Sequence, residues 1–183
     1  VAINSNVQLI PPREGRYLGV AFSPDGSFIY FGFAGSDRND AGQVYRLPTL
    51  GIGAVPTRMD TPETLPSFSH DKKRMAFIRY DRANQSDYLV VANVDGSGEQ
   101  TVVSRKWPQR LALDLLTKVR WTADDKSLLL PLVTSAPSSS SGISSNYTVA
   151  IFEKNLVSGA EQTIPLNLQE FDDVGRVTVL PDG

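Results

Sequence analysis

The sequence predicts an all-β fold, a β-propeller of four-stranded antiparallel blades, and three observations carry that reading. First, the stretch "AFSPDGSFIYF" at 21–31 sets a tight turn between two short runs of alternating apolar residues. Second, the pattern returns as "SFSHDKKRMAFI" at 67–78, "VRWTADDKSLLL" at 119–130 and "VTVLPDG" at 177–183. Its turn aspartates, Asp25, Asp71, Asp124 and Asp182, lie at intervals of about 46 to 58 residues, near the ~40–45-residue period of a propeller blade. Third, the excess over that period sits in visible insertions at 105–117 and 135–145. The expected layout is a single propeller segment of about three whole blades plus part-blades. Residues 1–16 are expected to end a preceding blade, with blades at 17–60, 61–106 and 107–170, and 171–183 starting a next one. The stop in mid-motif and the missing initiator Met make a fragment of a larger propeller the expectation.

Each unit can be justified in order. In the first, Pro24 fixes φ at the second turn position, Asp25 can bond its own backbone, and Gly26 supplies a positive φ. Strands are expected at 18–22, 28–33, 43–47 and 57–59, where aromatic and β-branched residues alternate with polar ones. The second unit repeats them at 66–68, 74–79, 88–93 and 100–103, with an Asp95-Gly96 hairpin turn before the last. The third gives 118–121, 127–133 and 147–153, and "NLVSGAEQTI" carries a closing hairpin. Helix competes only at 109–119, where Leu111, Leu115 and Val119 share a helical face, so one short helical turn is the most expected there. Phe22, Phe68 and Trp121 read as equivalent positions, each buried beside its turn.

Composition narrows the function. Hydrophobic residues make up 40% and charged residues 21% of the chain, a globular balance. A net charge of −2 without a basic block argues against a nucleic-acid partner. No run approaches the ~18 apolar residues of a membrane span, so direct membrane insertion is not expected. The absence of cysteine removes disulfides, thiolate catalysis and cysteine zinc sites.

No catalytic, cofactor-binding or metal-binding residue is expected. His70, the single histidine, aligns with Pro24 and reads as a surface turn residue. "DRNDAG" at 37–42 has part of a calcium loop, but Ala41 stands where an oxygen ligand belongs and Pro48 where a glutamate does. The repeated turn aspartates each serve their own turn. The pairs Asp124–Asp125 and Asp172–Asp173 read as solvated faces, and no nucleophile elbow occurs. Binding is expected instead on one rim, formed by the loops at 34–42, 80–87, 105–117 and 134–146. These carry Arg38, Arg82, Trp107 and Arg110, residue types that anchor interfaces.

The turns at 23–26 and 181–183, with the "VDGSGEQ" hairpin at 94–100, resemble TolB-like repeats, relatives of the WD-repeat. The turn is degraded at 69–72 and 122–125, where Pro and Gly are lost. More narrowly, "NVQLIPPREGRYLGVAFSPDGSFIYF" and "YLVVANVDGSGEQTVVSRK" are similar to the propeller region of bacterial serine/threonine kinases and winged-helix regulators. The resemblance implies a noncatalytic sensory or protein-interaction module that binds a protein, peptide or small ligand on its loop rim, without a cofactor. It implies a periplasmic or extracytoplasmic location. Separately, an open arc of blades stopping in mid-motif is expected to expose strand edges that pair copies into a homo-oligomer. Propellers of similar repeat also gate prolyl oligopeptidase-like serine peptidases, which is the alternative.

Overall fold

The computed structural model describes residues 8–10, 12–37, 42–50, 54–59, 64–112, 117–135 and 147–166. They form three antiparallel sheets. The first is the meander β1 (Arg16–Phe22), β2 (Phe28–Ala34), β3 (Gln43–Pro48) and β4 (Thr57–Arg58). The second is β5 (Ser67–Phe68), β6 (Arg74–Asp81), β7 (Ser86–Asn93) and β8 (Gln100–Lys106). The third runs β10 (Arg120–Trp121), β11 (Ser127–Ser135), β12 (Tyr147–Asn155) and β13 (Glu161–Pro165), with β9 (Gln109–Arg110) also paired to β11. Among the described residues there is no helix, and so none long and apolar enough to cross a membrane.

Burial follows from the blade arrangement. A middle strand is covered on both faces by neighbouring blades, so it must be apolar almost continuously. In β6, Met75, Ala76, Phe77 and Ile78 are all buried. The alternation of side chains then assigns each to one face. Ala76, Ile78, Leu89 and Val103 meet Leu128, Leu130, Leu132 and Phe152 of the third blade. Met75, Phe77, Val90 and Ala92 form the opposite cluster, and Phe68 touches it. Phe68 also reaches the first blade, its ring 5.7 Å from that of Tyr30. The outer strand β13 is exposed throughout.

The repeated turn is a single hydrogen-bonded device built three times. A Ser or Thr hydroxyl donates to the aspartate two residues on: Ser23 to Asp25 at 2.6 Å, Ser69 to Asp71 at 2.6 Å, Thr122 to Asp124 at 2.8 Å. The same carboxylate oxygen accepts the amides of Ser27, Lys73 and Lys126. The hydroxyl oxygen in turn accepts the first amide of the next strand, from Phe28, Arg74 or Ser127. The loss of Pro and Gly from two copies therefore leaves the turn intact. Its fourth position keeps a left-handed φ in every copy: 72° at Gly26, 62° at Lys72 and 55° at Asp125.

These bonds favour the ionised carboxylate. The Ser23 and Ser27 hydroxyls and the Ser27 amide hold Asp25 down to about 2. Asp71 is lowered first by the Ser69 hydroxyl and Asp124 by that of Thr122. A carboxyl depressed in the folded state contributes stability above its unfolded pKa, and the contribution disappears as pH falls through the folded value. Urea midpoints are thus expected to hold steady from pH 7 to about 5 and then to fall from about pH 4 toward 2. The triple variant Asp25→Asn, Asp71→Asn, Asp124→Asn should start lower and have a shallower acid slope, the remainder coming from Asp81, Asp95, Asp125 and Glu161, which are lowered as well. An unchanged slope would place the acid response elsewhere.

Three expectations need correction. Phe22, Phe68 and Trp121 are equivalent in register, pairing with Ile29, Met75 and Leu128 respectively, but they are not equally buried. Trp121 is 5% exposed and Phe22 is 56% exposed. The reason is what each leans on. Phe68 packs on Tyr30 of the preceding blade, and Trp121 donates its indole N–H to Ser67 O of the preceding blade at 3.3 Å. No described blade precedes Phe22. Second, 80–87 is no long loop, because β6 and β7 close through a turn of residues 82–85. Third, the inner strand of the last blade is split. Strands β9 and β10 pair with opposite ends of β11, and Leu111 and Val119, which flank them in sequence, lie in the core. Leu115, residues 136–145 of the Ser-rich insertion, residues 38–41 of the candidate calcium loop at 37–42, and the segments 1–7 and 167–183 lie outside the described residues.

Candidate functional site

The inner strands of all three blades face one groove of roughly 720 Å3. Strand β1 contributes Val20, Ala21 and Phe22, the β5 segment contributes Leu65 to Phe68, and the β10 segment contributes Lys118 to Trp121. His70 and Ala123 close the end nearest the repeated turns. The position follows from the topology: an innermost strand has a sheet neighbour on one side only, so its other side borders the axis. Val20 and Phe22, at 52% and 56% exposure, give the groove an apolar wall. Its described lining residues include Lys118, Arg120 and His70.

His70 is held at the groove by an unusual pairing of turns. Asp125 of the third blade accepts the backbone N–H groups of His70 and Asp71, each at 2.8 Å, and its carboxylate lies 3.0 Å from His70 Nδ1. Burial acts to raise the Asp125 pKa, but the two amides and the His70 ring outweigh it and lower the value. The Asp125 carbonyl accepts Arg74 Nη2 at 2.9 Å. The Arg74 guanidinium then lies over the Trp121 ring, 4.9 Å from its centre. The two departures from the Ser-Pro-Asp-Gly signature thus meet. Histidine in place of proline restores an N–H, and aspartate in place of glycine supplies the acceptor. Pro24 of the first blade has no N–H to offer.

Lys72 and Asp125 hold the same strained φ, which costs a non-glycine residue about 1 kcal/mol. Lys72→Gly is therefore expected to stabilise the protein by up to about 1 kcal/mol. Asp125→Gly relieves the same strain but removes the clasp on His70 and Asp71, so it should destabilise, leaving the pair about 2 kcal/mol apart. Chemical denaturation of the two variants checks this. Equal effects would mean that the clasp contributes nothing.

The residues expected on the opposite rim are partly brought together. Arg82 sits exposed in the β6–β7 turn. The Trp107 amide donates to Gln85 O of that turn at 3.0 Å, and the Trp107 side chain is 54% exposed. Arg110 reaches the same corner but faces inward. Its Nε donates to the fully buried Asp87 at 2.8 Å, and its guanidinium stacks on Tyr80 at 4.4 Å. Arg38 lies outside the described residues. Sequence reasoning missed the groove, although the aligned inner strands at 18–22, 66–68 and 118–121 already named most of its wall.

Solved structures share this fold. The acylaminoacyl peptidase of Pyrococcus horikoshii superposes with a TM-score of 0.54 over 82% of this chain, at 10% identity. The chain is a stretch of β-propeller. It spans 25% of that peptidase's length. Looser matches include a putative TolB from Agrobacterium tumefaciens, with a TM-score of 0.47 and 17% identity over 81% of this chain and 46% of that one. Another is the β-propeller domain of the Trilobed protease from Pyrococcus furiosus, with a TM-score of 0.44 and 12% identity over 82% of this chain and 57% of that one. The sequence matches no family model and no curated protein.

Proposed function

We propose that this stretch of propeller is a noncatalytic binding module that engages a peptide or protein partner. The groove carries the reading: inner strands from all three blades converge on one space of roughly 720 Å3, within the ~300–1,000 Å3 typical of ligand sites, with half-exposed Val20 and Phe22 in its wall. The opposite rim, with Arg82 in the β6–β7 turn and Trp107 bonded through its amide to Gln85 of that turn, is a second surface for such a partner. In its finer form the module senses for a kinase or winged-helix domain on the same polypeptide, which rests on the sequence resemblance alone. Peptides selected from a random displayed library against the folded protein test the reading. Enriched peptides should lose binding to Phe22→Asp. Failure to enrich, or enrichment insensitive to both Phe22→Asp and Trp107→Ala, would overturn it.

A second reading has its own support in the likeness to acylaminoacyl peptidase. There the chain gates the active site of a serine peptidase carried on the same polypeptide. A fluorophosphonate label on the product of the full reading frame separates the two. Labelling of a serine outside this segment favours the gate, and no labelling favours the free-standing binding module.

A further inference from the structure

We infer that His70 is a hydrogen-bond acceptor built into the groove, and that it selects a ligand carrying a side-chain hydroxyl or amide N–H. The inference rests on reading the chain as a binding module and names what that module reads. His70 is among the groove-lining residues, and its side chain is 60% exposed. Its tautomer is fixed by the third blade. Asp125 Oδ1 accepts the His70 amide and Oδ2 accepts the Asp71 amide, each at 2.8 Å. With both oxygens accepting amide protons, the group is held as a carboxylate, which only accepts. The ring atom 3.0 Å from Oδ1 is Nδ1, so Nδ1 carries the hydrogen and donates it.

A neutral imidazole has one N–H. With that hydrogen on Nδ1, Nε2 is bare and accepts. The two nitrogens point away from each other across the ring, so the Nε2 edge faces away from Asp125. No described residue hydrogen-bonds Nε2. Asp125 is itself anchored: its carbonyl accepts Arg74 Nη2 at 2.9 Å, and the Arg74 guanidinium lies over the Trp121 ring. A ligand therefore meets a ring whose tautomer and orientation are set before it arrives, which lowers the ordering cost of binding. Val20 and Phe22, also in the lining, offer half-exposed apolar surface to the rest of the ligand. A hydroxyl or amide N–H satisfies Nε2. An ether oxygen in the same place sets acceptor against acceptor. The feature belongs to the second turn alone among the three described, since Pro24 and Ala123 stand at the matching positions of the others.

His70 is the single histidine, so its ring gives the chain's only imidazole signals. Long-range proton–nitrogen correlation spectra of the intact, isotope-labelled chain at about pH 8.5, above the ordinary imidazole range, are expected to show a protonated Nδ1 and a bare Nε2. Asp125→Gly, which suits the turn's left-handed φ, should shift the ring toward the Nε2–H tautomer. Two blocked hexapeptides then probe the groove by calorimetric titration: Leu-Phe-X-Leu-X-Phe, with X as serine or O-methylserine. The serine peptide is expected to bind about fivefold tighter and to move the Nε2 signal, which the O-methylserine peptide leaves in place. His70→Phe keeps the backbone N–H that Asp125 holds and should remove the difference. Circular dichroism of both variants establishes that they fold. An Nε2–H tautomer in the unsubstituted chain, equal binding of the two peptides, or a difference that survives His70→Phe would overturn the donor class while the binding reading stands. No binding of either peptide to the folded protein would overturn both.

Discussion

Trp121→Ala is expected to destabilise the protein by about 3–5 kcal/mol, the cost of truncating a large buried aromatic. The side chain is 5% exposed and packs in the cluster that joins the second and third blades. It makes two contacts that alanine cannot. The indole N–H reaches Ser67 O at 3.3 Å, and its ring receives the Arg74 guanidinium. Because Arg74 also bonds the Asp125 carbonyl, loss of the ring loosens the turn clasp as well as the core. Phe22→Ala, at the equivalent register position, is expected to cost less than about 1 kcal/mol, since Phe22 is 56% exposed with no described blade before it and surface changes are mild. Urea unfolding of the two variants compares them directly. Similar losses would mean that Phe22 is covered by a partner in solution and that burial in the isolated chain misstates its role.

The contrast shows what could be read in the sequence. Strand positions were legible because alternation and turn chemistry are local. The expected 28–33, 43–47, 88–93 and 100–103 lie within β2, β3, β7 and β8. The role of the turn aspartates was legible too, because their partners sit two residues away. Burial of Phe22 was not, because it depends on which blade comes before. Strand β9 was hidden because two residues carry no periodicity, and their pairing with Val133 and Thr134 is set by a distant strand. The groove was half legible. Its wall residues belong to recognised strands, but that three such strands border one space is a property of the arrangement. The link from His70 to Asp125 spans 55 residues, and the only sequence trace of it is the paired departure from the turn signature. Arg110 shows the opposite limit: its type and loop suggest a rim anchor, but its geometry depends on a carboxylate that the sequence does not mark as buried.

That carboxylate sets the second large effect. Asp87→Ala is expected to destabilise by about 3 kcal/mol, the lower end of the cost of breaking a buried ion pair. Asp87 is fully buried in β7. Its Oδ2 accepts Arg110 Nε at 2.8 Å and the Leu111 amide at 2.6 Å, so one oxygen ties the second blade to strand β9 of the third. Alanine leaves the buried Leu111 amide without its acceptor and removes the Asp87 ion pair from the guanidinium. The loss stays at the lower end because the Arg110 side chain keeps 21% exposure and its contact with the Tyr80 face. Arg110→Leu keeps the aliphatic bulk but leaves the carboxylate buried beside a single amide, and should cost a similar amount. The double variant should cost less than the two single losses together, with a coupling of about 2 kcal/mol. This cycle also bears on binding. A side chain committed to Asp87 is a strut between blades, and partner recognition at that corner then falls to Arg82 and Trp107. If Asp87→Ala costs less than about 0.5 kcal/mol and the cycle shows no coupling, the strut assignment fails and Arg110 is available at the rim as a partner contact.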